Sequence, residues 1–157
     1  MKKFFFILIF IVFTFILSCM SKNTTESINF INIYQGFPFA SGLTQAGEEI
    51  IKYDTSWTGF WKKFKQNTSD STDIAPWIDF DKYMIAAIYL GEKDTVGYKI
   101  EIQKIETDGK RFKVQYQTTK PKGNCFKKNI YPVHIVKFIK KEIPVNFYPT
   151  IITTTCD

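Results

Sequence analysis

The chain has 157 residues, 45% of them hydrophobic and 17% aromatic, with a formal net charge of +6. That length fits one domain, with or without a targeting segment, and leaves too little chain for a large two-domain enzyme. The hydrophobic fraction excludes a wholly disordered polymer, and three cysteines are too few for a disulfide-dense mini-scaffold.

The first residues read as an address. Lys2 and Lys3 precede an apolar run from Phe4 to Leu17, broken only by Thr14. A charged start, an apolar stretch and a small residue before a cut site make a secretory signal, and the run is short for a spanning helix, which needs ~20 residues. Ile16-Leu17-Ser18-Cys19 resembles a bacterial lipobox. The resemblance implies diacylglycerol in thioether linkage on Cys19, cleavage before it, and acylation of the new amino terminus. Acyl chains, each contributing ~0.8 kcal/mol per buried CH₂, anchor a protein without a spanning helix. The expected organisation is a lipoprotein signal peptide over 1–18, a polar tether over 19–27 and a single domain over 28–157. The expected location is the bacterial cell envelope, lipid-anchored and facing the periplasm or the surface. The alternatives are an ordinary secretory signal with Cys19 as a bystander, and an uncleaved anchor.

With Lys2 and Lys3 removed the chain stays mildly basic, with lysines scattered in short clusters such as Lys62-Lys63, Lys127-Lys128 and Lys140-Lys141. A nucleic-acid partner would demand a denser basic face and a recognisable motif, so none is expected. An exported chain can oxidise Cys125 and Cys156. A bridge is the favoured reading, and two free thiols the alternative. Two cysteines and one distant histidine do not make a zinc set, so no metal or other cofactor is expected.

After the tether, Ile28 to Tyr34 alternates and is β-prone, predicting a first strand. Residues 35–47, with three glycines and Pro38, read as a loop, and Glu49 to Tyr53 as a second short strand. Trp57, Phe60, Trp61 and Phe64 then fall at i, i+3, i+4 and i+7, one face of a helix. Asp54, Thr55 or Ser56 is expected to cap it, and Gly59 to let its backbone approach a sheet. The aromatic stripe is read as core packing rather than a ligand cage.

Residues 66–76 form a polar loop. Ile78 to Leu90 begins with alternation and becomes continuously apolar, as a central strand covered on both faces does. Residues 91–97 are a turn. Tyr98, Ile100 and Ile102 alternate until Ile105 breaks phase after Lys104, which predicts a bulge. Asp108-Gly109 predicts a tight hairpin, and Phe112, Val114, Tyr116 and Thr118 then alternate against polar neighbours. Residues 120–129 read as a long loop, Tyr131 to Ile139 as a strand opened by Pro132, and Glu142 to Tyr148 as a last strand before a Thr-rich tail. The predicted fold class is α+β: one amphipathic helix on a mainly antiparallel sheet of about five to seven strands.

Catalytic signatures are missing. There is no G-x-S-x-G, H-E-x-x-H, phosphate-cradling G-x-x-x-x-G-K-[ST] or G-x-G-x-x-G. His134 is the only histidine and is expected to be a surface or half-buried strand residue. Asp79 and Asp81 flank Phe80 and could share one strand face, but such pairs are commonplace at strand starts. The chain is therefore not expected to be an enzyme.

As a set, the motifs from about Trp57 to Phe147 resemble the PrcB C-terminal-like domain family, exported or lipidated proteins named after a subunit of a bacterial surface protease complex. The residues carrying the resemblance are Trp57 and Trp61, Ile78-Asp79-Phe80, the apolar run Met84 to Leu90, G-E-K-D-T-V-G-Y from Gly91 to Tyr98, and Y-P-V-H-I-V-K from Tyr131. Val96 departs, standing where the family often has glycine; a positive φ there would strain it. The resemblance implies a non-catalytic accessory or interaction protein that helps a protease complex assemble or persist. Glu92, Lys93, Asp94, Thr95 and Val96 are the candidate partner contacts, since the core does not need that loop. Gly91, Gly97, Tyr98, Tyr131 and Pro132, with Trp57, Trp61, Asp79 and Phe80, are expected to shape the domain. The alternative functions are a protease inhibitor presenting a loop at 120–129 braced by Cys125 and Cys156, and a small-ligand-binding envelope lipoprotein.

Overall fold

The structure, a computed structural model, describes residues 24–68 and 74–156. The signal segment and Cys19 lie outside the described residues. Among the described residues, no helix is long and apolar enough to cross a membrane.

Eleven elements follow one another: β1 (Glu26–Ile28), β2 (Phe30–Gly36), β3 (Ala46–Ile51), α1 (Asp54–Phe64), β4 (Tyr83–Leu90), β5 (Lys93–Thr95), β6 (Lys99–Thr107), β7 (Phe112–Lys122), β8 (Lys127–Ile130), β9 (Val133–Ile139) and β10 (Val145–Thr155). They form two four-stranded sheets, ordered β1-β6-β7-β10 and β2-β9-β4-β3, and a two-stranded ribbon of β5 and β8. The fold is thus mainly β with one small helix, and the single sheet expected from the sequence is corrected to two sheets and a ribbon.

Strand β4 explains the layering. Its residues are buried without alternation because both faces are covered. Met84, Ala86 and Ile88 enter a core with Ile100, Ile102, Ile105, Phe112, Val114 and Tyr116 of the facing sheet. Ile85, Ala87 and Tyr89 enter a second core with Trp57, Phe60, Trp61 and Phe64 of α1. The β2-β9-β4-β3 sheet is therefore the middle layer, with α1 on one face and the other sheet on the opposite face. Fully burying each large apolar side chain contributes ~1.5–3 kcal/mol, so the aromatic stripe holds the helix down.

The bulge in β6 lies where the phase breaks: pairing with β7 shifts between Ile102 and Lys104, which returns Ile105 to the core. At the hairpin tip Gly109 has φ +82°, and Asp108 accepts the amides of Lys110 and Arg111.

Several expected boundaries are corrected. Residues 26 and 27, assigned by sequence to the tether, are strand residues paired to Glu106 and Thr107. Strand β3 runs Ala46–Ile51 rather than from Glu49 to Tyr53. Helix α1 begins after Tyr53 with no side-chain cap, and Gly59 is exposed with open space around it, facing no sheet. Asp79 and Asp81 lie in a turn before β4, where Asp79 is bonded to Lys82 at 3.0 Å, so they do not form a strand pair. The long loop at 120–129 shrinks to residues 123–126, because β7 continues through Pro121 to Lys122. The last strand is not Glu142 to Tyr148 but β10, which continues through the Thr-rich tail and pairs parallel to β7. His134 is not at the surface: it is 1% exposed, inside the core between the sheets.

Candidate functional site

The turn that follows β4 is held on three sides. Gly91 has φ +70°, and a Cβ there would stand 2.7 Å from the Thr44 carbonyl oxygen, so only glycine fits. The Glu92 amide donates to that same carbonyl at 3.1 Å. Strand β5 pairs with β8, Lys93 opposite Ile130 and Thr95 opposite Lys127, and the Val96 amide donates to the Phe126 carbonyl at 3.0 Å. The third side is the cysteine pair. Cys125 and Cys156 stand at disulfide distance, with Cα atoms 5.2 Å apart, and a Cβ on Gly97 would lie 3.7 Å from the Cys156 Sγ. The left-handed conformation falls on Gly97, φ +104°, and not on Val96, which therefore carries no backbone strain.

This frame presents a charged ribbon. Glu92 and Asp94 are exposed, and Thr95 is buried beneath them. The Glu92 Oε1 accepts from the Asn129 Nδ2 at 2.5 Å. Asp94 pairs with the Lys127 Nζ at 3.1 Å, accepts the Thr95 hydroxyl at 2.8 Å, and is held below the usual carboxylate range by that hydroxyl and then by Lys127. The Lys127 Nζ also donates to the Thr95 Oγ1 at 3.1 Å. The Tyr131 phenol is pushed up by desolvation and then by the Glu92 charge.

Between the ribbon and the start of β3 lies an open, polar recess of about 750 Å³, lined by Thr44, Gln45, Ala46, Leu90, Glu92, Lys93, Asp94 and Asn129. Ala46 and Leu90 also border a smaller recess of about 290 Å³ at the end of the inter-sheet core. There the Tyr116 hydroxyl donates to the Glu48 Oε1 at 2.5 Å, and on the other face of β3 the Tyr89 hydroxyl donates to the Glu49 Oε1 at 2.5 Å. Both phenols are raised, first by burial and then by their carboxylates, so they remain neutral donors.

Of the sequence-predicted residues, the structure brings Glu92, Lys93 and Asp94 to the recess with Gly91 beneath them. Thr95 supports Asp94 from inside. Tyr98 lies under the Lys93 Nζ, 5.9 Å from its ring centre. Tyr131 and Pro132 fix the neighbouring backbone by donating to the Pro38 carbonyl and accepting from the Leu90 amide. Trp57 and Trp61 sit in the helix core, and Asp79 and Phe80 in the turn before β4, none of them at the recess. Sequence reasoning missed Thr44, Gln45, Lys127 and Asn129. Nothing local marks them: the pairing of β5 with β8 brings in Lys127 and Asn129 from more than thirty residues away, and the Glu92 amide bond to the Thr44 carbonyl brings in Thr44 and Gln45. Among the described residues no cluster of histidine, cysteine, aspartate and glutamate could hold a metal ion.

The fold and the recess define a small β domain whose exposed feature is a charged, backbone-stapled ribbon. Residues 84–138, from the start of β4 to nearly the end of β9, match the family model described as PrcB C-terminal, the family that the sequence motifs resemble. The helix tryptophans and the Asp79-Phe80 motif precede the matched segment. No curated protein and no solved structure matches the chain.

Proposed function

We propose that the chain is a lipid-anchored, non-catalytic envelope protein that binds a protein partner through the ribbon of β5 and β8, as an accessory subunit or stabiliser of a surface protease complex. The observation that carries this reading is the position of the ribbon inside the segment that matches the PrcB C-terminal model. Glu92 and Asp94 are exposed there on a backbone braced by Thr44, Phe126 and the cysteine pair. Preorganised charges of that kind favour specificity and orientation of docking over raw affinity. An anchor at Cys19 would raise the concentration of the domain near a membrane-bound partner, so a modest interface suffices.

The test is affinity purification of the tagged chain from detergent-solubilised envelope. The expected result is co-purification of a protease subunit in constant ratio; recovery of the chain without any protease would refute the assignment. In parallel, Cys19→Ser should leave an unprocessed precursor without lipid mass, and normal processing in that variant would refute the anchor.

A further inference from the structure

We propose that β10 is a dimerisation strand: two copies of this chain join edge to edge through residues 151–155, merging their outer sheets into one. Free sheet edges invite pairing, and proteins blunt them with short strands, bulges, charges or proline. The other three edges of the two four-stranded sheets each carry such a device. Strand β1 has three residues, β2 is bulged between Asn32 and Tyr34, and β3 carries Glu48 and Glu49. Strand β10 has only Pro149, near its middle, and nothing of the kind after it. It runs eleven residues in unbroken register, contains no charged residue in a chain that is 23% charged, and leaves Ile151 60% exposed.

The direction of its backbone groups follows from two backbone bonds, beside which one side-chain hydroxyl also bonds to β7. The Pro144 carbonyl accepts the Phe112 amide, the Thr150 hydroxyl donates to the Tyr116 carbonyl, and the Cys156 amide donates to the Lys122 carbonyl. Even-numbered residues therefore turn toward β7, and the N–H and C=O of odd-numbered residues turn to the open edge. Pro149 falls on the open side, where its missing amide costs β7 nothing. Pairing is interrupted there, which leaves Ile151, Thr153 and Thr155 as an uninterrupted set.

Those three residues are self-complementary. An antiparallel two-fold pairing centred on Thr153 sets Thr153 against Thr153 of the second copy and Ile151 against its Thr155, each pair exchanging both backbone bonds. All the apposed side chains are β-branched and uncharged, which suits cross-strand contact and introduces no like-charge repulsion. The Cys156–Lys122 bond holds the end of the strand in place. None of residues 92–96 is used.

The test is sedimentation velocity of the full chain in detergent over a concentration series. The expected result is a concentration-dependent dimer, whose dissociation constant rises at least ~tenfold in Thr153→Pro and in Thr153→Lys. The proline removes an outward amide and leaves the β7 ladder intact; the lysine sets two like charges across the axis, and decides the matter if the proline variant does not fold. A chain that stays monomeric throughout, or a dimer that both substitutions leave unchanged, overturns the proposal.

Discussion

His134 on β9 accepts the backbone amide of Ile102 on β6 through its Nδ1 at 2.7 Å, joining the two sheets inside the core. Strand β1 ends at Ile28, opposite Ile105, so this side of β6 has no strand partner at Ile102 and the imidazole takes its place. With Nδ1 accepting, the proton sits on Nε2 and faces the Asn32 side-chain oxygen on β2. One neutral tautomer satisfies both groups.

That arrangement predicts a pH dependence. Burial pushes the His134 pKa down to about 4, against ~6.5 in an unfolded chain. Between those values the unfolded state binds the extra proton, so folding stability falls as pH drops from about 6.5 to about 4. Urea unfolding midpoints across that window should show the fall in the wild-type chain and lose most of it in His134→Phe. His134→Ala should cost ~1–3 kcal/mol at neutral pH, because it leaves a buried amide unpaired.

The two tryptophans of α1 should respond differently to the same change. The Trp57 Nε1 donates to the Pro76 carbonyl at 2.8 Å, whereas the buried Trp61 Nε1 has no hydrogen-bond partner among the described residues. Trp57→Phe should therefore lose ~1 kcal/mol more than Trp61→Phe, measured by chemical denaturation at neutral pH.

Glycine substitutions should separate by site. Gly59→Ala, on an exposed helix position with open space around it, should stabilise the chain by ~0.5–1 kcal/mol. Gly91→Ala should destabilise it and distort the ribbon, since its Cβ meets the Thr44–Ala46 backbone at a positive φ. Thermal melting of the two variants should move in opposite directions.

Much of this architecture is legible in the sequence, and the rest has a physical reason for being hidden. The bulge at Ile102–Lys104 and both covered faces of β4 follow from side-chain periodicity, which is a local property. The split into two sheets is not local. Strands β7 and β10 pair in parallel across an excursion through β8 and β9, and the Thr-rich sequence of β10 alone resembles a tail. His134 is the one polar residue in the buried run 133–136, and only the position of β6 explains its burial. At the recess, the sequence marks residues 91–97 as a turn, while Lys127, Asn129 and Thr44 join it through tertiary pairing.

Reduction should loosen the end of β10. Closing the loop between Cys125 and Cys156, separated by 31 residues, is worth roughly 3–4 kcal/mol in the chain-entropy model. Thiol reductant should lower the unfolding midpoint accordingly and raise amide exchange at the amides that face β7, Ile152 and Thr154, before the central strands are affected. An unchanged midpoint would mean that the pair is not bridged in solution.

The most direct test of the proposed role is to compare protease recovery by the wild-type chain with recovery by a Glu92→Arg, Asp94→Arg double variant. Both substitutions are on exposed positions of the ribbon; losing the Asp94–Lys127 pair and the Glu92–Asn129 bond should lower the unfolding midpoint only modestly, because exposed pairs contribute ~0–1 kcal/mol each. The account predicts that the folded double variant captures at least ~tenfold less of the protease subunit. Equal recovery by the two chains would contradict it.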